Sequence, residues 1–185
     1  GDAHEPFHAV SLKLGAARMT EQFVTTDPLS GTELNALQAH YRRELEAVLK
    51  KAREHNCREL VGSSGTMENL AAVCRLQNGD PARSIFEQSF LPEHLRSVTQ
   101  TVMRSAGGDR LKMEGIEEKR VPQITAGAVL VDVLLEDLAF ERFRVSANAL
   151  REGIVVHYLE ENCDRLERLA PLGDVRRRHV YELAE

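Results

Sequence analysis

Twice in this chain a short β-rich run passes through a few small residues directly into a helical pattern, and this repeated form limits the fold more than any other feature. In the first instance Arg58-Glu59-Leu60-Val61-Gly62 leads into Ser63-Ser64-Gly65-Thr66, and a helix beginning near Met67 carries Leu70, Val73 and Cys74 inward. In the second, Arg142-Phe143-Arg144-Val145-Ser146 alternates with the period of two that a strand requires. It continues through Ala147-Asn148-Ala149 into a last core helix, Leu150 to Glu161. Strands and helices alternating in this way imply an α/β layer architecture.

The remaining elements fit around these two. Phe7 to Leu14 alternates loosely and stops at Gly15, which predicts an opening strand, and a short helix follows from Ala16 to Phe23. Ser30-Gly31-Thr32-Glu33 is a capping box: the serine side chain satisfies an orphan N–H and the glutamate reaches back. Leu34, Leu37, Tyr41, Leu45, Val48, Leu49 and Ala52 then recur at helical spacing, and Asn56 ends that long amphipathic helix. Pro92 suits the first position of a helix that places Leu95, Val98 and Val102 on one face. Ala106-Gly107-Gly108-Asp109 predicts a break, followed by a helical turn from Arg110 to Met113. From Pro122 to Leu138 the pattern is strongly apolar, and the lack of bulk at Ala126 and Gly127 predicts a helix lying close against a sheet.

Both bends have the chemistry of an anion site. Glycines let the backbone approach a ligand, and first-turn N–H groups together with the helix dipole favour negative charge. At the first bend Ser64, Gly65 and Thr66 are the candidates, set against a plain tight turn with a threonine cap. At the second, Arg151 sits in the first turn of a helix, where a cation is unfavourable unless an anionic ligand or a carboxylate faces it. Glu152 beside it is ordinary there. A structural Arg–Glu pair and a ligand contact both fit this pattern, and Gly153, costing about 1 kcal/mol inside a helix relative to alanine, suggests close packing.

A formal net charge of −5 over 185 residues argues against a nucleic-acid partner, which needs a basic face, so any phosphate site must be local. Cys57, Cys74 and Cys163 are odd in number and widely spaced, which suits a reducing compartment and gives neither a disulfide framework nor a zinc set. His4, His8, His40, His55, His94, His157 and His179 are scattered, and no His, Cys or carboxylate group has ligand spacing, so no protein-built metal site is expected. No apolar run reaches the ~18 residues that span a bilayer, and no signal peptide is recognisable, so a cytoplasmic protein with no membrane partner is expected.

Four segments in order resemble the Ppx/GppA phosphatases, that is, exopolyphosphatases and guanosine pentaphosphate phosphohydrolases. They are Ser11 to Glu21, Gly62-Ser63-Ser64-Gly65-Thr66 with its following helix, Gly115 to Arg120 with Ala126-Gly127, and Ser146 with Leu150-Arg151-Glu152-Gly153. Together they cover roughly residues 7–160. The resemblance implies the second, ribonuclease-H-like lobe of the actin/Hsp70/sugar-kinase (ASKHA) fold, a mixed sheet flanked by helices. On that basis residues 1–162 form the lobe, and residues 163–185 form a linker and the start of a helical, HD-like domain. Asp174 to Val180 resembles the entry to that domain, and its arginines and His179 read either as a polyphosphate-steering patch or as a solvated helix face.

In the family, two lobes close on a phosphate chain and a divalent metal, a first-lobe glutamate acts as base, and a "D-x-G-G-G-S-x-E" loop opens the second lobe. Neither of the last two elements is in this chain. The resemblance therefore implies part of a phosphoanhydride hydrolase acting on polyphosphate or on guanosine pentaphosphate or tetraphosphate, inactive by itself, with no catalytic residue of its own. Phosphate contacts fall to Ser64, Gly65, Thr66 and Arg120, with cleft support from Arg151, Glu152, Lys13 and Arg18. Mg2+ would be held mainly by substrate, and the partners would be the first lobe, the C-terminal domain and, for the full-length protein, a second copy. Ser146-Ala147 stands where family members often have Ser-Asp, and Arg120-Val121-Pro122 where "R-A-D" is common. The lost carboxylate leaves a second reading tenable, a non-catalytic domain that binds guanosine phosphates or polyphosphate and regulates.

Overall fold

The structure, a computed structural model, describes residues 8–163. Gly1–Phe7 and the segment from Asp164 to Glu185, with the Asp174–Val180 run and the expected HD-like domain entry, lie outside the described residues. The chain forms two compact units, Gly1–Ala147 and Asn148–Glu185.

In the first unit α1 (Ala16–Phe23) precedes α2 (Gly31–Glu54), and the capping box forms as the sequence requires. The Glu33 N–H donates to Ser30 Oγ at 3.3 Å, and Glu33 Oε2 accepts from the Ser30 N–H at 2.9 Å. Leu37, Tyr41, Leu45 and Leu49 form the buried stripe of α2. The helix stops at Glu54, and Asn56 turns the chain with a positive φ of 48°. Then come β1 (Glu59–Gly62), α3 (Gly65–Asn78), a 3-10 turn (Ile85–Glu87), β2 (Ser89–Phe90), α4 (Pro92–Arg104), α5 (Gly107–Arg110), a second 3-10 turn (Glu118–Arg120), α6 (Val121–Asp137) and β3 (Arg142–Val145).

The sheet is mixed, with order β1-β3-β2. β1 runs parallel to β3, in register from Glu59↔Arg142 to Gly62↔Val145, while β2 pairs with β3 antiparallel. Alternation on β3 sends Phe143 and Val145 inward, and Arg144 outward to the Glu59 carboxylate, which it grips with Nε at 2.8 Å and Nη2 at 2.9 Å. The last rung, Ser146 N–H to Gly62 O at 2.8 Å, shows that both small-residue bends leave the same end of the sheet.

Several expectations are corrected. Residues 8–14 form no strand, because alternation supplies a face and not a ladder, and no strand among the described residues pairs with them. Gly107 and Gly108 do not break the chain but open α5, held by the Gly107 N–H donating to Asp27 Oδ2 at 2.7 Å. The Arg110–Met113 turn is accordingly shifted toward the N-terminus. α6 packs chiefly on α4, α1 and α2 rather than on the sheet. Ile124, Ala126, Ala128, Val129 and Val133 are fully buried there, and the buried Tyr41 hydroxyl donates to Ala126 O at 2.9 Å. The space at Gly127 is filled by a helix, not a strand: a Cβ there would lie 2.4 Å from Thr66 Cγ2 of α3.

The second unit contains α7 (Leu150–Glu161), which begins and ends where the sequence places it but buries no residue. Within that unit Leu150, Ile154, Val155, Val156, Tyr158 and Leu159 are exposed.

Candidate functional site

One cleft of about 670 Å³ brings together Lys13, Arg18, Ser64, Gly65, Thr66 and Arg120, with Gln123 and Gly127 on its floor. Its first wall is the start of α3. Ser64 takes extended backbone angles, φ −143° and ψ 158°, and its Oγ accepts the Met67 N–H at 3.4 Å. The cap is thus Ser64 and not Thr66, and the helix starts at Gly65, two residues earlier than expected. With Ser64 Oγ accepting from Met67 and Ser64 O accepting from Glu68, the N–H groups of Gly65 and Thr66 have no intrahelical acceptor and stand at the positive end of the helix. Thr66 packs its methyl on Gly127, which seats α3 against α6 at the cleft floor.

Arg120 lies directly over this helix end. It closes the second 3-10 turn and caps α6, and its guanidinium covers Gly65 so tightly that a Cβ there would sit 2.3 Å from Nη2 and 2.5 Å from Cζ. Its Nε is buried without a hydrogen-bond partner. The adjacent Glu117 carboxylate is committed to Lys119 at 2.7 Å. That hydrogen bond, more than Arg120's charge, holds Glu117 below the usual carboxylate range. Arg120 is therefore a cation held close to two unsatisfied N–H donors without a carboxylate of its own.

A second wall is the start of α1, whose Arg18, with Lys13 before it, was expected only as cleft support. Gly15 gives that helix no side-chain cap, its first turn has no acidic residue, and Gly15, Ala16, Ala17 and Arg18 all line the cleft. Arg18 in a first turn opposes the helix dipole, as Arg151 does in α7. Lys13 precedes it on the irregular segment, and neither Lys13 nor Arg18 forms an ion pair among the described residues. Two helix N-termini and three cations thus meet in a lining that contains no aspartate or glutamate, within a chain whose net charge is −5. Such a lining favours an anion strongly over any neutral or cationic ligand.

Arg151 and Glu152, the other residues expected as cleft support, form a local arrangement of their own. They belong to the second unit, where Glu152 accepts the Ala149 N–H at 2.9 Å and caps its own helix. Hydrogen bonds from the backbone of that first turn hold the Glu152 carboxyl below its ordinary value. Arg151 lies 3.8 Å from the same carboxylate and is otherwise exposed. A local pair within the first turn accounts for both.

The cleft lining also contains no histidine, so it offers no side chain able to take a proton from water, and no carboxylate to hold a divalent ion. Among the described residues no group of three or more His, Cys, Asp or Glu could hold a metal. The residues present therefore do not fit a protein-held Mg2+. Cys74 is buried in α3, which pushes its thiol up to about 12 and leaves it inert.

The sequence profile of the Ppx/GppA phosphatase family matches residues 1–162. The chain belongs to the Ppx/GppA phosphatase family. Among curated Ppx/GppA relatives it is similar to Exopolyphosphatase 1 of Mycobacterium leprae, 30% identical over 167 residues, covering 89% of this chain and 48% of that protein. It is also 25% identical over 160 residues to the guanosine-5'-triphosphate,3'-diphosphate pyrophosphatase of Pseudoalteromonas atlantica, covering 86% of this chain and 30% of that one. The chain thus spans about half, or less, of the length of these relatives. Its fold matches a crystal structure of an exopolyphosphatase from Cytophaga hutchinsonii with a TM-score of 0.76 at 21% identity, over 87% of this chain and 52% of that one. The Aquifex aeolicus family member matches with a TM-score of 0.67 at 24% identity, over 83% and 49%. These neighbours share the fold of this chain, a mixed three-stranded sheet flanked by helices, and among the described residues no helix is long and apolar enough to cross a membrane.

Proposed function

We propose that this cleft grips the phosphate chain of inorganic polyphosphate or guanosine pentaphosphate, and that the chain is the phosphate-holding half of a phosphoanhydride hydrolase. The observation that carries this reading is the convergence of the α1 and α3 N-termini with Lys13, Arg18 and Arg120 on a surface without carboxylates. Gly65 and Thr66 N–H groups and the Ser64 hydroxyl would bind phosphoryl oxygens. Arg120 would neutralise the charge that accumulates on the leaving phosphate when water forms its bond to phosphorus and the anhydride bond breaks. Lys13 and Arg18 would hold phosphates further along the chain.

Nothing in the lining can activate that water, so the base must come from outside this cleft. The 185 residues alone would bind without turnover. The same absence also supports the second reading, a binding domain of regulatory output. Titration of the chain with tripolyphosphate in a calorimeter, alongside a phosphate-release assay with Mg2+, tests the proposal. Binding that weakens with salt and with Arg120→Ala, without phosphate release, is expected. Tripolyphosphate hydrolysis by the chain would overturn the half-site reading, and absent or Arg120-independent binding would overturn the cleft assignment.

A further inference from the structure

α3 carries one buried amide that its helix does not need. Asn69 is 3% exposed and stands among Leu70, Ala71, Val73 and Cys74, all of them buried apolar positions. Burying an amide is costly unless it is hydrogen-bonded, and an apolar residue would suit this position better by packing alone. The partner of Asn69 explains its presence. Asn69 Oδ1 accepts the Glu117 N–H at 2.8 Å. Glu117 O in turn accepts the Arg120 N–H at 2.8 Å, so a single hydrogen-bonded chain runs from α3 to the residue that covers Gly65.

A second contact presses the same loop onto the same helix. Gly115 has a φ of +100°, and a Cβ there would lie 2.9 Å from Val73 N and 3.0 Å from Ala72 C. The backbone at Gly115 therefore rests on the backbone of α3, with Ile116 buried beside it. Residues 115–120 are clamped at two points to the helix whose first turn forms the cleft wall. Arg120 and the Gly65–Thr66 N–H groups are held as one rigid unit.

We infer that Asn69 is a positioning residue, which sets the Arg120 guanidinium over the α3 N-terminus through the Glu117 backbone. The inference rests on the cleft reading above. Its test separates an effect exerted through Arg120 from an effect on the fold. The 185-residue chain is titrated with tripolyphosphate as wild type, Asn69→Leu and Asn69→Asp, each with Arg120 intact and with Arg120→Ala. Leucine keeps the shape and removes the acceptor, whereas aspartate keeps the acceptor. Asn69→Leu weakens binding roughly fivefold when Arg120 is present and less than about twofold when it is absent, while Asn69→Asp stays within about twofold of wild type.

Equal losses in both backgrounds, or no loss, would overturn the positioning role while leaving the cleft assignment standing. If Arg120→Ala alone leaves binding unchanged, the cleft assignment fails and the positioning role fails with it. Should Asn69→Leu not fold, as judged by its thermal melt, Gly115→Ala carries the same test, because it forces the same loop off α3. It is expected to give the same dependence on Arg120.

Discussion

Gly65→Ala separates binding from folding, because the added Cβ meets only the end of a flexible side chain. The added Cβ would lie 2.3 Å from Arg120 Nη2, 2.5 Å from Cζ and 2.8 Å from Nε. Ordinary contact begins near ~3.4 Å, so the guanidinium must retreat by about 1 Å, and a donor displaced that far passes from hydrogen-bond distance to none. The end of a flexible arginine yields at small cost to the fold. The backbone at Gly65 is ordinary helix, where alanine instead stabilises by about 0.4–1 kcal/mol through the unfolded chain. One charge-assisted hydrogen bond is worth about 1.5–3 kcal/mol, so tripolyphosphate affinity should fall roughly tenfold to a hundredfold. The melting temperature should stay level or rise by a few degrees (about 2–4 °C per kcal/mol at this size). Isothermal titration and a thermal melt on the same preparation give both numbers. Unchanged affinity would refute the role of Arg120 above Gly65. A collapse of stability would show that the guanidinium is a structural strut.

Arg18→Glu should act in the same divided way: a glutamate in the first turn of α1 stabilises by about 0.3–1 kcal/mol through the helix dipole, while it puts a negative charge in the cleft and weakens tripolyphosphate binding. A melt and a titration check this, and tighter or unchanged binding would remove α1 from the site. Gly127→Val drives side-chain atoms into Thr66 and should destabilise by about 1–3 kcal/mol in urea unfolding; a neutral result would mean that α3 and α6 do not meet there. Burial, and then the charge of Glu136, raise the Asp132 carboxyl above its ordinary 3.8, only partly offset by Thr99, Arg96 and Arg42. The native state then keeps this proton to higher pH than the unfolded chain, so the cost of the carboxylate is absent below that ordinary value and grows as pH rises through the raised one. Asp132→Asn should therefore raise the melting temperature relative to wild type at pH 7–8 and not below pH 4; a pH-independent difference would refute this account.

What was legible in the sequence was whatever depends on neighbours in the chain. The Ser30–Glu33 box, the Leu37–Tyr41–Leu45–Leu49 stripe, the Pro92 start and the alternation at Phe143 and Val145 are local rules, and each formed as written. The Ser64–Thr66 bend and Arg120 were read from motif order, and the structure brings them within contact of each other. What was not legible depends on pairing at a distance. Residues 8–14 alternate but have no ladder partner among the described residues, and β2 is two residues long, too short for any periodicity. Lys13 and Arg18 were expected as cleft support, and the structure lines the cleft with both. Both Arg18 and Arg151 are cations in a first turn, but Arg151 has a local carboxylate to answer it, whereas Arg18 faces an open cleft. The signal at Gly15-Ala16-Ala17-Arg18 was present in the residues, and only the fold shows that it converges with Ser64-Gly65-Thr66.

Amide chemical shifts of the 15N-labelled chain during a tripolyphosphate titration test the central claim most directly, because they report on the N–H donors themselves. The largest saturable shifts should fall on Ala16, Ala17, Gly65 and Thr66, together with the Arg120 Nε–H, and should disappear together at high salt. Shifts confined to surface cations such as Lys50, Lys51 and Arg53, with those donors unmoved, would contradict it.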